Sequence, residues 1–136
     1  MERVSVPAEV ESRLRREAIA WLTTVREDGQ PQPVPVWFSW DGEQFVVFSR
    51  PGTQKLRNIA VNPKVSLHLN SDERGGQVVR FDGLAEIVPD GQPATAYPAM
   101  IEKYREGIRS LGMTPESFAR SYSVQIRVRP MRLMSW

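Results

Sequence analysis

Residues 18–49 read AIAWLTTVREDGQPQPVPVWFSWDGEQFVVFS, and this stretch decides the fold. It contains three strand-like segments, at 18–25, 34–40 and 44–49, in which apolar, aromatic and β-branched residues dominate. Glu-Asp-Gly at 27–29 and Asp-Gly at 41–42 separate these segments, and such short glycine-containing sequences form hairpin turns. The stretch therefore predicts an antiparallel meander of three strands.

The sequence on either side of the meander adds further strands and short helices. Helical spacing of apolar residues predicts helices at 8–17, at 53–62, at 93–106 and from Thr114 onward. Alternation with a period of two predicts strands at 65–70, 77–88 and 122–129, and Asp82-Gly83 in the second of these is typical of a bulge. Six strands with helices at the margins indicate a mostly β fold, a closed or nearly closed antiparallel barrel.

The composition is that of a soluble globular protein, with 40% hydrophobic and 25% charged residues in a chain of 136. This length predicts one domain that spans residues 1–136. The absence of cysteine excludes disulfides, thiolate metal sites and thiol nucleophiles. The sequence has no run of about 18 apolar residues, and residues 1–7 lack the apolar core of a signal peptide. We therefore expect a cytoplasmic protein with no membrane partner.

The distribution of charge is more informative than its sum. The net charge of +2 is too small to indicate a nucleic-acid partner. Residues 50–64, however, hold four Lys or Arg residues and no acid. One basic zone on a nearly balanced chain fits a small anion better than a long polyanion, although a solvated basic surface is the other interpretation.

Within this zone, residues 49–58 read SRPGTQKLRN. Thr53 is positioned to be the N-cap of a helix, so Lys55 and Arg57 fall in its first turn. Cations there oppose the helix dipole by roughly a few tenths of a kcal/mol each. A bound phosphate would instead attract the dipole, the free N–H groups and the cations together, and Gly52 would let the backbone approach it. We interpret residues 49–58 as a phosphate cradle, with a basic helix end on the surface as the other interpretation.

Three prolines form a second unusual feature, at 31, 33 and 35. Successive N–H groups along a strand point to alternate sides, so these prolines remove three donors from one lateral side. That side cannot complete a ladder and must be an edge or an opening. An opening lined by Val36 and Trp37 is a suitable bed for a flat ring system. Protection of an edge against aggregation explains the prolines equally well.

Other sites of chemistry find little support in the sequence. His68 is the one histidine, and with no cysteine beside it we expect no metal site and interpret His68 as structural. The phosphate-binding loop patterns are absent, and no motif supports a Ser-His-Asp triad. We therefore name no catalytic side chain. The apolar tail at 131–136 is expected to pack, on this chain or on a second subunit.

Several motifs occur in a familiar order: AWLTTV at 20–25, PVPVWF at 33–38, SR at 49–50, KLRNI at 55–59 and NPKVSL at 62–67. Their order and spacing resemble the pyridoxamine 5'-phosphate oxidase-like (FMN-binding split barrel) superfamily. Within it, the chain is most similar to the deazaflavin-dependent oxidoreductases that use coenzyme F420. The resemblance covers residues 8–90 well and the C-terminal third loosely. It implies a six-stranded antiparallel split β-barrel with flanking short helices.

The resemblance also implies a homodimer with two cofactor sites at the subunit interface. It places the phosphate-bearing tail of the cofactor near Ser49, Arg50, Lys55 and Asn58, and the deazaflavin ring along Pro35, Val36 and Trp37. The implied activity is that of an F420H2-dependent oxidoreductase, which transfers a hydride from the reduced deazaflavin to a small organic acceptor. In such chemistry the cofactor performs the reaction, and the protein orients and shields it.

Two alternatives stay open at the level of sequence. The same fold family contains FMN-dependent oxidases and reductases, so FMN is the alternative cofactor. A non-catalytic protein that holds F420, a flavin or haem without turnover is the second alternative. The acceptor is also open, because the shape of its pocket depends on the loop at 71–76 and on the helical region at 93–121.

Overall fold

The computed structural model describes residues 3–136 of the chain, and within them short helices alternate with seven strands. The strands are β1 (Ala20–Val25), β2 (Pro31–Val36), β3 (Ser39–Trp40), β4 (Phe45–Ser49), β5 (Lys64–Leu69), β6 (Val79–Val88) and β7 (Val124–Ser135). The helices are α1 (Ala8–Arg16), α2 (Gln54–Val61), α3 (Pro98–Lys103), α4 (Arg105–Ser110) and α5 (Pro115–Ser121), with a 3-10 turn at Ala94–Ala96. None of these helices has the length and apolar character needed to cross a membrane.

The strands form one antiparallel sheet in the order β2-β1-β5-β6-β7-β4-β3. Its two edge strands, β2 and β3, follow each other in the chain and are separated only by Trp37 and Phe38. Because two residues must connect opposite edges, the sheet curls on itself and leaves a split between β2 and β3. The predicted mostly β architecture, an antiparallel curled sheet with short helices, is confirmed.

The number of strands differs from the predicted six. The strand predicted at 34–40 is divided into β2 and β3, because Phe38 leaves the ladder. The predicted meander of three strands is therefore wrong: its two hairpins form, as β1–β2 and β3–β4, but they lie at opposite edges of the sheet. The N–H of Phe38 donates to the hydroxyl of Tyr104 over 2.9 Å instead of pairing with a strand. β2, which carries the three prolines, pairs only with β1, so the edge position that the prolines predict is confirmed.

The helix predicted at 93–106 is wrong in its extent. The chain forms the 3-10 turn, α3 and α4 in succession, with breaks at Tyr97 and Tyr104. Pro98 begins α3 because proline lacks the N–H that a helix continuing through this position would need. The side chain of Tyr104, at the second break, reaches the link between β2 and β3, where its hydroxyl contacts the backbone of Phe38.

The last strand is longer than predicted, and the apolar tail is part of it. β7 continues to Ser135 and pairs with β6 along the length of β6, so the tail packs on the sheet of its own chain. The ladder changes register between Asp82 and Gly83, which confirms the predicted bulge. A Cβ atom on Gly83 would lie 2.8 Å from Cγ1 of Val128, so only glycine fits there without movement.

Two hydrophobic cores hold the helices to the sheet. The first lies inside the curled sheet, where alternate residues of β1, β5 and β6 are buried, and α1 covers it with Leu14. The second lies between β4 and the helical region, and includes Val46, Phe48, Ile108 and Phe118. β4 is therefore buried on both faces. This second core brings α4 and α5 beside the strand that leads into residues 49–58.

Candidate functional site

A cleft of about 310 Å³ lies where the ends of β2 and β4, the start of α2 and the helices α4 and α5 converge. Its walls are formed by Pro35, Val36, Trp37, Phe48, Ser49, Arg50, Thr53, Lys55, Leu111, Phe118 and Tyr122. Six of the seven residues predicted to bind a cofactor lie in this list, and Asn58 does not. Two segments that are separate in the sequence, 35–37 and 49–55, thus line one cleft.

One end of the cleft is electropositive. Lys55 is half-buried there, and its ammonium group lies 3.5 Å from the hydroxyl of Thr53. Burial lowers the pKa of Lys55 because desolvation disfavours the charged form. The guanidinium of Arg50 lies over the ring of Tyr122, 4.9 Å from its centroid. No Asp or Glu lines the cleft, so an anionic ligand would meet two cations and no competing carboxylate.

The start of α2 also faces this end. Thr53 occupies the N-cap position, as predicted, but its side chain makes no capping hydrogen bond. Its hydroxyl lies 3.1 Å from that of Ser49 instead. The side chain of Thr53 therefore accepts no hydrogen bond from the first-turn N–H groups of α2. N–H groups left in this way are suited to bind an anion. Gly52 supports the turn into the helix with a φ of +76°.

Arg57 does not extend this positive end. Its guanidinium donates to the backbone oxygen of Gly52 and to the side-chain oxygen of Gln54, each over 2.7 Å. The side chain is exposed and lies outside the cleft. Of the two first-turn cations that the sequence places in the cradle, only Lys55 lines the cleft.

Asn58 lies on α2 and is buried, with 2% of its surface exposed. Its amide nitrogen donates to the hydroxyl of Thr24 and to the side-chain oxygen of Gln32, both over 2.9 Å. Its amide oxygen accepts a hydrogen bond of 2.8 Å from Gln54. The side chain thus connects α2 to β1 and β2, and it fixes the helix that carries Lys55.

The rest of the cleft, called the aromatic end below, is aromatic and apolar. The indole of Trp37 stacks on the rings of Tyr104 and Phe118, at centroid distances of 4.6 Å and 5.6 Å. Phe118 in turn stacks on Tyr122 at 4.7 Å. Leu111, Phe118 and Tyr122 are cleft residues that the sequence does not indicate. Phe118 lies in α5 and Tyr122 directly follows the helix, and their spacing of one helical turn is the signal that could have marked this face.

His68 lies away from the cleft. Its ring nitrogen Nδ1 is 2.9 Å from the backbone oxygen of Leu69, and its ring stacks on Trp21 at 6.5 Å. His68 and Trp21 face each other on adjacent strands, β5 and β1. In the part of the chain that the structure describes, no three His, Cys, Asp or Glu residues are grouped so that they could hold a metal ion.

The curled sheet and the cleft beside its split define a split-barrel protein. The family model described as pyridoxamine 5'-phosphate oxidase matches residues 6–136. The chain therefore belongs to the pyridoxamine 5'-phosphate oxidase-like family, as its motifs indicate. A comparison with the curated proteins gave no match.

Solved structures of similar fold carry names that refer to different ligands. An F420 reductase is 32% identical, with a TM-score of 0.73 over 95% of this chain and 98% of its own. The haem storage protein HutZ from Vibrio cholerae is 20% identical, with a TM-score of 0.70 over 98% and 95% of the two chains. An FAD-binding protein from Mesorhizobium loti is 20% identical, with a TM-score of 0.65 over 94% and 90%. The last two show a common fold.

Proposed function

We propose that this protein is an F420H2-dependent oxidoreductase that reduces a small organic acceptor. The observation that carries the proposal is the pairing of an acid-free cationic end with an aromatic end in one cleft. A deazaflavin coenzyme has the matching chemistry, a flat ring joined to a tail that contains a phosphate. Similarity to an F420 reductase at 32% identity over nearly the whole of both chains supports this choice of cofactor.

At the cationic end, Lys55 and Arg50 would bind the phosphate. The ammonium of Lys55 lacks an acidic partner in the cleft, and its partial burial strengthens its interaction with an anion. Because Thr53 and Lys55 at the start of α2 both line the cleft, the uncapped N–H groups there and the positive end of the helix dipole would add to this attraction. The buried hydroxyl of Ser49 donates to the backbone oxygen of Arg50 over 2.8 Å, so of this pair it is Thr53 whose hydroxyl hydrogen can turn to the phosphate.

At the aromatic end, Pro35, Val36 and Trp37 would support the ring, and Leu111 and Phe118 would exclude water from its surroundings. When bound, the cofactor supplies the hydride. The protein then has to hold the ring and the acceptor in contact and keep solvent away, which the apolar walls of the cleft are suited to do.

The proposed assembly is a homodimer. A second apolar concavity of about 590 Å³ lies on the sheet and includes Thr23, Val25, Val65, Leu84 and Met131. A second copy of the chain would bury this surface, and a two-fold interface would do so on both copies. The cleft of one chain is near the lower limit for a small-molecule site, so a partner would also complete it. Light scattering should give twice the mass of one chain, and a monomeric mass would contradict this assembly.

FMN is the second candidate cofactor. The observation that favours it is the same cationic end, because a terminal phosphate satisfies Lys55 and Arg50 as well as the phosphate of F420 does. Haem has no comparable support, since His68 lies outside the cleft.

The direct test of the proposed site is a binding titration of Lys55→Ala with F420, followed by quenching of the cofactor fluorescence. A charge-assisted hydrogen bond contributes about 1.5–3 kcal/mol, so the substitution should weaken binding roughly 10- to 150-fold. Arg74→Ala is the matched control, because it removes one exposed positive charge that lies outside the cleft. Equal affinity of both variants and the wild type would refute the site.

A further inference from the structure

Trp37 forms the wall of the aromatic end, and it occupies a special place in the fold. It lies in the two-residue link between β2 and β3, where neither edge strand provides ladder hydrogen bonds. The position of its indole therefore depends on what packs behind it. The nearest ring is that of Tyr104, at a centroid distance of 4.6 Å with an angle of 5° between the two planes.

The hydroxyl of Tyr104 also fixes the backbone of the link. It accepts a hydrogen bond of 2.9 Å from the N–H of Phe38, the residue that follows Trp37. As a donor, the same hydroxyl oxygen lies 2.8 Å from the backbone oxygen of Ala18 and 3.1 Å from that of Phe38. Tyr104 is 4% exposed, and burial raises the pKa of its phenol, so the group stays protonated and can donate. One side chain thus holds both the ring and the backbone of the link.

Gly107, one turn further along, limits how far the indole can move back. A Cβ atom at this position would lie 2.9 Å from Cη2 and 3.0 Å from Cζ2 of Trp37. Gly107 lies inside α4, where glycine is less favourable than alanine by about 1 kcal/mol. Its backbone does not adopt the positive φ that would require glycine. The close approach of the indole is therefore the physical reason for a glycine here.

We propose that Tyr104 and Gly107 are positioning residues, which set the width of the aromatic end of the cleft by fixing Trp37 from behind. Neither residue lines the cleft. The inference rests on the proposed function for the identity of the ligand, but the placement of Trp37 can be tested without any ligand. Gly107 would set how deep the indole sits, and Tyr104 would set how firmly it is held.

The first experiment uses protein labelled with 5-fluorotryptophan and fluorine NMR in the absence of ligand. The chain has four tryptophans, and Trp37→Phe identifies the resonance of Trp37. Gly107→Ala should shift this resonance and leave those of Trp21, Trp40 and Trp136 in place. Arg109→Ala, an exposed position of the same helix, is the control and should shift none of them. An unchanged Trp37 resonance in Gly107→Ala would overturn the role of Gly107.

The second experiment is hydrogen exchange of the Phe38 amide in Tyr104→Phe. This substitution keeps the ring stacked on Trp37 and removes only the hydroxyl, so we expect exchange at Phe38 to accelerate at least tenfold while the β4–β7 ladder stays protected. Tyr97→Phe is the control, because its hydroxyl bonds Gln125 and Arg127 rather than the link. Unchanged protection of Phe38 would refute the role of Tyr104. If Tyr104→Phe does not fold, the wild type decides: its Phe38 amide, whose acceptor is the Tyr104 hydroxyl, should be protected, and unhindered exchange would refute the role of Tyr104.

A third measurement connects the placement of Trp37 to binding. Gly107→Ala should weaken binding of a deazaflavin that lacks the phosphate tail at least fivefold, with unchanged affinity for inorganic pyrophosphate at the cationic end. An equal loss for both ligands would indicate general damage and overturn the proposal. If the wild type binds no deazaflavin, the proposed function fails, and the two experiments without ligand still decide whether Tyr104 and Gly107 position Trp37.

Discussion

The substitution Asn58→Ala separates a residue that holds the site together from one that binds the ligand. The family resemblance implies that Asn58 lies near the cofactor phosphate, whereas the structure gives its side chain three hydrogen bonds within the protein. Each contributes about 0.5–1.5 kcal/mol, so their loss should lower the free energy of unfolding by about 3 kcal/mol. With an unfolding entropy of about 2.1 cal/mol/K per residue, this corresponds to a fall in Tm of about 10 °C.

The assay is thermal unfolding of the ligand-free protein, combined with titration of F420 at a temperature where both variants are folded. Asn62→Ala is the control, because the side chain of Asn62 accepts a single hydrogen bond, from the N–H of Lys64. We expect a loss of about 1 kcal/mol for this control and a change in F420 affinity below roughly threefold for Asn58→Ala. An unchanged Tm together with a tenfold loss of affinity would refute the reasoning, because Asn58 would then act as a ligand-binding residue.

Two further predictions concern Lys103 and Gly83. Burial lowers the pKa of Lys103 to about 8, so between pH 8 and 10.5 the unfolded chain binds more protons than the folded one. The free energy of unfolding of the wild type, relative to that of Lys103→Met, should therefore rise by about 1–2 kcal/mol across this range, after allowance for the partial exposure of Lys103. Urea unfolding at several pH values measures this difference, and a difference that stays flat or falls with pH would contradict the prediction. Gly83→Ala should lower the free energy of unfolding by about 1–3 kcal/mol, because the added Cβ would lie 2.8 Å from the side chain of Val128. Urea unfolding that gives the same stability for this variant and the wild type would contradict the geometry of the bulge.

Local features of the sequence are sufficient to predict the two hairpins of the meander, the edge strand and the bulge, but not that the hairpins lie at opposite edges of the sheet. The turns and the alternation of apolar residues are properties of a few neighbouring residues, and proline removes donors wherever the strand lies. The break between β2 and β3 was missed because its cause, the hydroxyl of Tyr104, is 66 residues from Phe38 in the chain. A pattern that is read locally cannot report such a contact.

The same distinction applies to the candidate site. Positive charge near a helix start is a local signal that indicates Lys55, and Arg50 belongs to the same acid-free stretch of the sequence. The partners of Asn58 lie on β1 and β2, so only the tertiary structure reveals that its hydrogen bonds are already made. The wall formed by Leu111, Phe118 and Tyr122 depends on how α4 and α5 pack on β4, and the sequence gives no register for that packing.

The most direct test of the central claim is a side-by-side titration of the wild-type protein with F420 and FMN, followed by quenching of each cofactor's fluorescence. The proposed function predicts saturable binding of F420 with a Kd of about 1 μM or lower, one molecule per chain, and weaker binding of FMN. Tighter binding of FMN, or no quenching of F420 at protein concentrations of roughly 50 μM, would contradict it.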